Sequence, residues 1–197
     1  MKGQKILFSV IALCTALLMN ACATTALTSV WKNETYQGGP LRKILIIGVD
    51  RNQGMKKLLE NEFVLQLKAN GIDAVPSHTV LPEDTILEKE MIAAKISELR
   101  IDSVLITTLV DVKETEAYEA PTFFAPTGFY GYYMQCCYSV MSGYNVEIET
   151  RIFDAHYDTL IWSALSATVL EPAPEKTIKS YIAAIVSELQ NEKLLTK

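Results

Sequence analysis

The arrangement of hydrophobic and polar positions changes character several times along the chain. Lys43 to Asp50 is a continuous β-branched and apolar run, the mark of a strand covered on both faces. Met55, Leu58, Leu59, Phe63 and Leu67 then recur at helical spacing, and Asn70-Gly71 supplies the stop. Ile72 to Val80 reads as a second strand. A second helix is predicted from Thr85 to Arg100, with Leu87, Met91, Ile92, Ile96 and Leu99 on one face. Ser103 to Val112 is again a buried strand. This β-α-β-α-β order implies parallel pairing with right-handed crossovers.

After residue 143 the period shortens. Tyr144 to Phe153 alternates, with Val146, Ile148 and Ile152 on one face and Glu147, Glu149 and Arg151 on the other. Such alternation predicts a strand with one wet face, antiparallel in kind. Asp154 to Thr159 is a turn and Leu160 to Val169 the returning strand. A last helix starts near Glu175, with Ile178, Ile182, Ile185, Val186 and Leu189 as its stripe. The expected fold class is α/β: one mixed sheet of about five strands in the order β-α-β-α-β-β-β-α, with three helices, in one domain over 41–197.

Two stretches fall outside this scheme. Residues 1–21 open with Lys2 and Lys5, continue in the apolar run Ile6 to Met19, and end in Leu18-Met19-Asn20-Ala21-Cys22. The run is shorter than the ~20 residues needed to span a bilayer and suits a cleaved export signal. The ending resembles a lipobox, in which Cys22 takes the acyl chains and becomes the mature amino terminus. A plain secretory leader cut near Ala21 or Ala23 is the alternative. Ala23, rather than Asp, after the Cys favours the outer membrane, with the protein facing the periplasm; the inner membrane and the cell surface stay open. Residues 22–40, rich in Thr, Ser, Gly and Asn, read as a tether whose Trp31 and Tyr36 pack back on the domain. The second stretch, 114–143, has no sustained period. It carries Tyr118, Phe123, Phe124, Phe129, Tyr130, Tyr132, Tyr133 and Tyr138 among prolines and glycines. An insertion of this length is unusual in a compact domain. Exposed aromatics there would grip a protein partner, a glycan or the membrane interface; folded back, they would cap the sheet beside Trp162.

Composition narrows the functional classes. The 197 residues suit one domain plus a leader, and 18 basic against 23 acidic side chains give a formal net charge of −5. That balance argues against nucleic acid as a partner. Of the four cysteines, Cys14 leaves with the leader and Cys22 is modified. Cys136 and Cys137 remain, and no spaced disulfide framework exists. This pair is open to three readings: buried thiols, a strained vicinal disulfide, or a bridge to another chain.

Candidate chemistry is sparse. The stretch Gly48 to Gly54 follows a strand but lacks the spacing of a dinucleotide or phosphate loop, so Gly48 reads as a turn glycine. His78 and His156 are the only histidines. His156 with Asp154 and Asp158 would make a weak metal site, though short polar residues in a turn account for themselves. Glu147 and Glu149 stand about 7 Å apart on one strand face, a spacing that could flank a glycosidic bond. Arg151 on that face offers them a charge partner. No cofactor or metal is expected.

Ser29-Val30-Trp31-Lys32, Tyr36-Gln37-Gly38-Gly39-Pro40 and Lys43-Ile44-Leu45-Ile46-Ile47-Gly48 together resemble the opening of a group of uncharacterised proteobacterial envelope lipoproteins. The likeness continues through Gly71 to Ser77, Tyr144 to Asp154 and Leu160 to Ala164. The element order also resembles the amino-terminal domain of the Tol translocation protein, curli-secretion-type lipoproteins, and lipoprotein activators of penicillin-binding proteins. These resemblances imply a membrane-anchored, non-enzymatic binding or assembly module with an envelope protein partner, and they carry no catalytic residue. The competing class is an envelope enzyme, hydrolytic through Glu147 and Glu149 or redox-active through Cys136 and Cys137. A structural lipoprotein without a ligand is a third.

Overall fold

The computed structural model describes residues 25–82, 88–112, 128, 145–169 and 173–196. The elements are β1 (Thr25–Lys32), β2 (Lys43–Val49), α1 (Gln53–Ala69), β3 (Asp73–Pro76), a 3-10 turn (Ser77–Thr79), α2 (Lys89–Leu99), β4 (Ser103–Val112), β5 (Asn145–Asp154), β6 (Thr159–Val169) and α3 (Pro174–Asn191). The six strands form one mixed sheet in the order β1-β6-β5-β4-β2-β3. β2 pairs in parallel with β3 and β4, and the remaining neighbours are antiparallel.

Each parallel connection carries its helix to a different face. Ile44 and Ile46 of β2, Leu105 of β4, and Ile148 and Ile152 of β5 pack with Phe63 and Leu67 of α1 and the stripe of α3. Leu45, Ile47 and Val49, with Val104, Ile106 and Phe153, pack on the opposite side around Ile92 of α2. Tyr181 of α3 is fully buried, stacks edge-on to Phe63 at 5.8 Å, and places its hydroxyl against Thr107 (2.7 Å) and Thr150. Burial pushes its phenol well above the ordinary value, so it stays neutral and bonds as a hydroxyl.

Helix ends follow from local chemistry. Asn52 caps α1, its Oδ1 accepting from the amides of Gly54 and Met55 at 2.9 and 3.2 Å. Gly71, at φ +80°, closes α1 with the amide of Ile72 donating to the carbonyl of Leu67 at 3.1 Å. Arg100 takes the same role after α2, at φ 54°, where glycine is usual.

Several expectations need correction. The sheet has one strand more than the pattern predicted, and that strand, β1, lies in the stretch read as a tether. It is an edge strand with Ala26, Thr28, Ser29, Val30 and Trp31 exposed, so it shows little apolar periodicity. Its pairing with β6 is bulged between Leu27 and Ser29, which further blurs the period. Tyr36 packs on the core as expected, whereas Trp31 is 46% exposed. The strand read over Ile72 to Val80 stops at Pro76, because Pro76 cannot donate to a continuing ladder. Met91, expected on the buried stripe of α2, is exposed; Ile92, Ile96 and Leu99 hold the inner phase. The face of β5 read as wet is largely withdrawn from solvent, with Arg151 only 6% exposed.

Candidate binding crevice at the carboxyl edge of the sheet

The chain leaves β2 in one direction to β3 and later returns on the other side as β4, so the carboxyl end of β2 is a topological switch point. In open α/β sheets, ligand crevices form there. Asp50 follows directly on β2, and Met55 and Leu59 come from the first turns of α1. Val146 and Ile148 come from the start of β5, and Pro174, Thr177 and Ile178 from the start of α3. Together these residues line a cavity of about 260 Å³. Its described walls are apolar except for Asp50 and Thr177.

Asp50 is partly buried, and its Oδ1 accepts the amide of Asn52 at 2.6 Å. Desolvation pushes its carboxyl above the usual value, opposed by that hydrogen bond. It forms no ion pair among the described residues. Of the two helix starts facing the cavity, α1 has its Gly54 and Met55 amides taken by Asn52. α3 has no side-chain cap; it begins with Pro174, which has no N–H, followed by the acidic Glu175.

Beside Leu59 stands a second polar constellation. Glu60 of α1 is fully buried; its Oε1 accepts from the Gly48 amide at 2.9 Å and the Ser77 hydroxyl at 2.6 Å. Its Oε2 accepts the His78 amide at 3.0 Å and lies 2.6 Å from His78 Nδ1. One carboxylate thus ties α1 to the ends of β2 and β3. Gly48 belongs to β2 rather than to a turn. A Cβ there would stand 3.4 Å from side-chain atoms of both Glu60 and Leu59, an ordinary packing distance, so α1 lies in direct contact with β2 at this point.

The other candidates are dispersed. Glu149 accepts the Arg151 guanidinium through Nε and Nη2 at 2.9 and 2.7 Å, with both side chains mostly buried. Glu147 Oε2 is buried without a hydrogen-bond partner among the described residues. His156 sits in the β5–β6 turn, where Asp154 Oδ1 accepts the amides of His156 and Tyr157, both at 2.8 Å. Asp158 lies 3.3 Å from Lys89 Nζ. The described residues contain no cluster of three or more metal-type ligands, and no helix among them is long and apolar enough to cross a membrane.

Cys22, Tyr118, Phe123, Phe124, Phe129, Tyr130, Tyr132, Tyr133, Cys136, Cys137 and Tyr138 lie outside the described residues. The flanks of the aromatic segment are defined, however. Val112 and Asn145 are direct partners in the β4–β5 ladder, so the segment leaves and re-enters side by side, next to the cavity residue Val146. Thr25, the first residue of β1, lies in the same cross-strand row, through Thr168 to Val146.

Sequence reasoning missed Asp50, the cavity and Glu60. Glu60 had a detectable trace: it falls three and seven residues before Phe63 and Leu67, on the buried side of α1. Its partners Gly48, Ser77 and His78 are distant in sequence, and only the fold unites them.

No known sequence family matches the chain, and no curated protein is significantly similar to it in sequence. Among solved structures, it is similar to the PelC dodecamer from Paraburkholderia phytofirmans, at 13% identity and a TM-score of 0.48. That match covers 84% of this chain and 97% of the other. It is also similar to the lipoprotein GNA1162 from Neisseria meningitidis, at 13% identity and a TM-score of 0.39, covering 76% of this chain and 99% of the other.

Proposed function

We propose that the chain is a non-enzymatic binding or assembly module, held at a bacterial envelope membrane outside the cytosol by lipid on Cys22. The outer membrane, periplasmic face, is the location that Ala23 favours. The observation that carries this reading is the convergence of three features on one edge of the sheet. These are the cavity, the two flanks of the aromatic segment, and the start of β1, three residues after Cys22.

The hydrolase alternative through Glu147 and Glu149 has one feature in its favour, the unpartnered buried oxygen of Glu147. Against it stands the Arg151 fork on Glu149, which commits that carboxylate to an internal pair. The thiol alternative through Cys136 and Cys137 lacks a histidine close in sequence.

In-cell cross-linking of the full-length protein, compared with a variant carrying Tyr130→Ala, Tyr132→Ala and Tyr133→Ala, tests the proposal. Loss of a specific captured protein, with the circular dichroism spectrum unchanged, supports a partner-binding module. Unchanged capture together with loss of a measurable turnover would refute it in favour of the enzyme.

A further inference from the structure

Resting on the binding-module reading, we infer that the cavity at the switch point receives a small apolar group carrying a protonated amine, with the ammonium set against Asp50. The apolar walls formed by Met55, Leu59, Val146, Ile148 and Ile178 favour a hydrocarbon occupant. At about 260 Å³ the space exceeds the ~150 Å³ cavity known to hold benzene. A single ring or a short alkyl chain therefore fits, and a whole lipid does not.

The polar end of the occupant is set by charge. Asp50 is the one ionisable side chain among the described lining residues, and no cationic side chain described here pairs with it. A carboxylate half-withdrawn from water without a counter-ion pays a desolvation penalty that an incoming ammonium would offset. The rise in its pKa is that penalty seen from the proton's side. No cationic side chain stands among the described lining residues to meet an anion, and Asp50 would repel one. Asn52 takes the Gly54 and Met55 amides of α1, and the acidic Glu175 stands in the first turn of α3. Thr177 adds polarity to the wall without adding charge.

The source of such an occupant also follows from topology. Thr25 stands two strands from Val146 in one cross-strand row, so roughly 10 Å separates β1 from the cavity wall. Cys22 precedes Thr25 by three residue steps, a reach of at most ~11 Å. Lipid on Cys22 thus holds this edge near the bilayer surface, where amine-bearing amphiphiles collect.

Calorimetry on full-length protein in phosphatidylcholine nanodiscs, with empty nanodiscs as blank, provides the test. The probes are hexylammonium, hexanol and hexanoate. Hexylammonium is expected to bind about tenfold tighter than hexanol, the scale of one charge-assisted hydrogen bond. Asp50→Asn should bring it down to the hexanol level while hexanol is unaffected. Ile178→Phe and, independently, Val146→Phe should abolish both. Hexanoate matching hexylammonium, or indifference to Asp50→Asn, overturns the amine assignment but leaves the cavity as a binding site. If no probe binds in a way that either filling variant blocks, the binding-site reading itself falls.

Discussion

Glu60 shows how one side chain organises its surroundings. A buried carboxylate is tolerated only when its lone pairs are occupied, and here three N–H or O–H donors and the His78 Nδ1 atom converge on two oxygens. Glu60→Gln replaces one acceptor by an amide NH₂, so at least one of the Gly48, Ser77 and His78 donors loses its partner. The expected cost is about 1–3 kcal/mol, read as a lower urea midpoint with unchanged slope. A midpoint equal to wild type would show that the constellation contributes nothing to stability. At this scale the sequence was least legible. The histidine was visible, but its partner was hidden among helix surface charges. Asp50 looked like an ordinary turn residue because its desolvation comes from β5 and α3, nearly a hundred residues or more away in the chain.

Among the elements, legibility tracked burial. The strands β2 and β4, covered on both faces, and α3, whose stripe is wholly buried, were plain in the hydrophobic pattern. β1 was not, because an edge strand needs few apolar positions and takes its specificity from the ladder with β6. The two faces are also unequally secured. α3 buries Ile178, Ile182, Ile185, Val186 and Leu189, each contributing about 1.5–3 kcal/mol, whereas α2 buries only Ile92. α2 further lacks a side-chain cap at Glu88 and ends on Arg100 in the left-handed region. Arg100→Gly relieves that conformation at some cost in unfolded-chain entropy. A net gain of about 0.5–1 kcal/mol, or roughly 1–4 °C in Tm, is expected by calorimetry. A loss of stability would mean that the Arg100 side chain supports the helix end in some other way.

For the whole molecule, the mixed α/β architecture was readable because the switch from continuous to alternating apolar runs separates the parallel from the antiparallel part of the sheet. What pattern alone did not reveal is which end of the sheet gathers the crevice, the flanks of the aromatic segment and the start of β1. Strand order and register decide that. The attachment predicted at Cys22 is checked by Cys22→Ala, which should move the protein from the membrane fraction to the soluble one. Mass analysis of the wild-type mature terminus should show acyl chains on Cys22. A wild-type protein recovered soluble, with an unmodified terminus, would remove the basis for the assigned location.

The early start of β1 would also limit how far the protein could work from the anchor proposed at Cys22. Many surface-tethered proteins fish at a distance on a long leash; this one would stand with its foot on the membrane. A sheet whose longest strand among the described residues has 11 residues rises only ~35–40 Å. With lipid on Cys22, its working radius would be about one domain deep, and whatever it met would itself have to come close to the lipid.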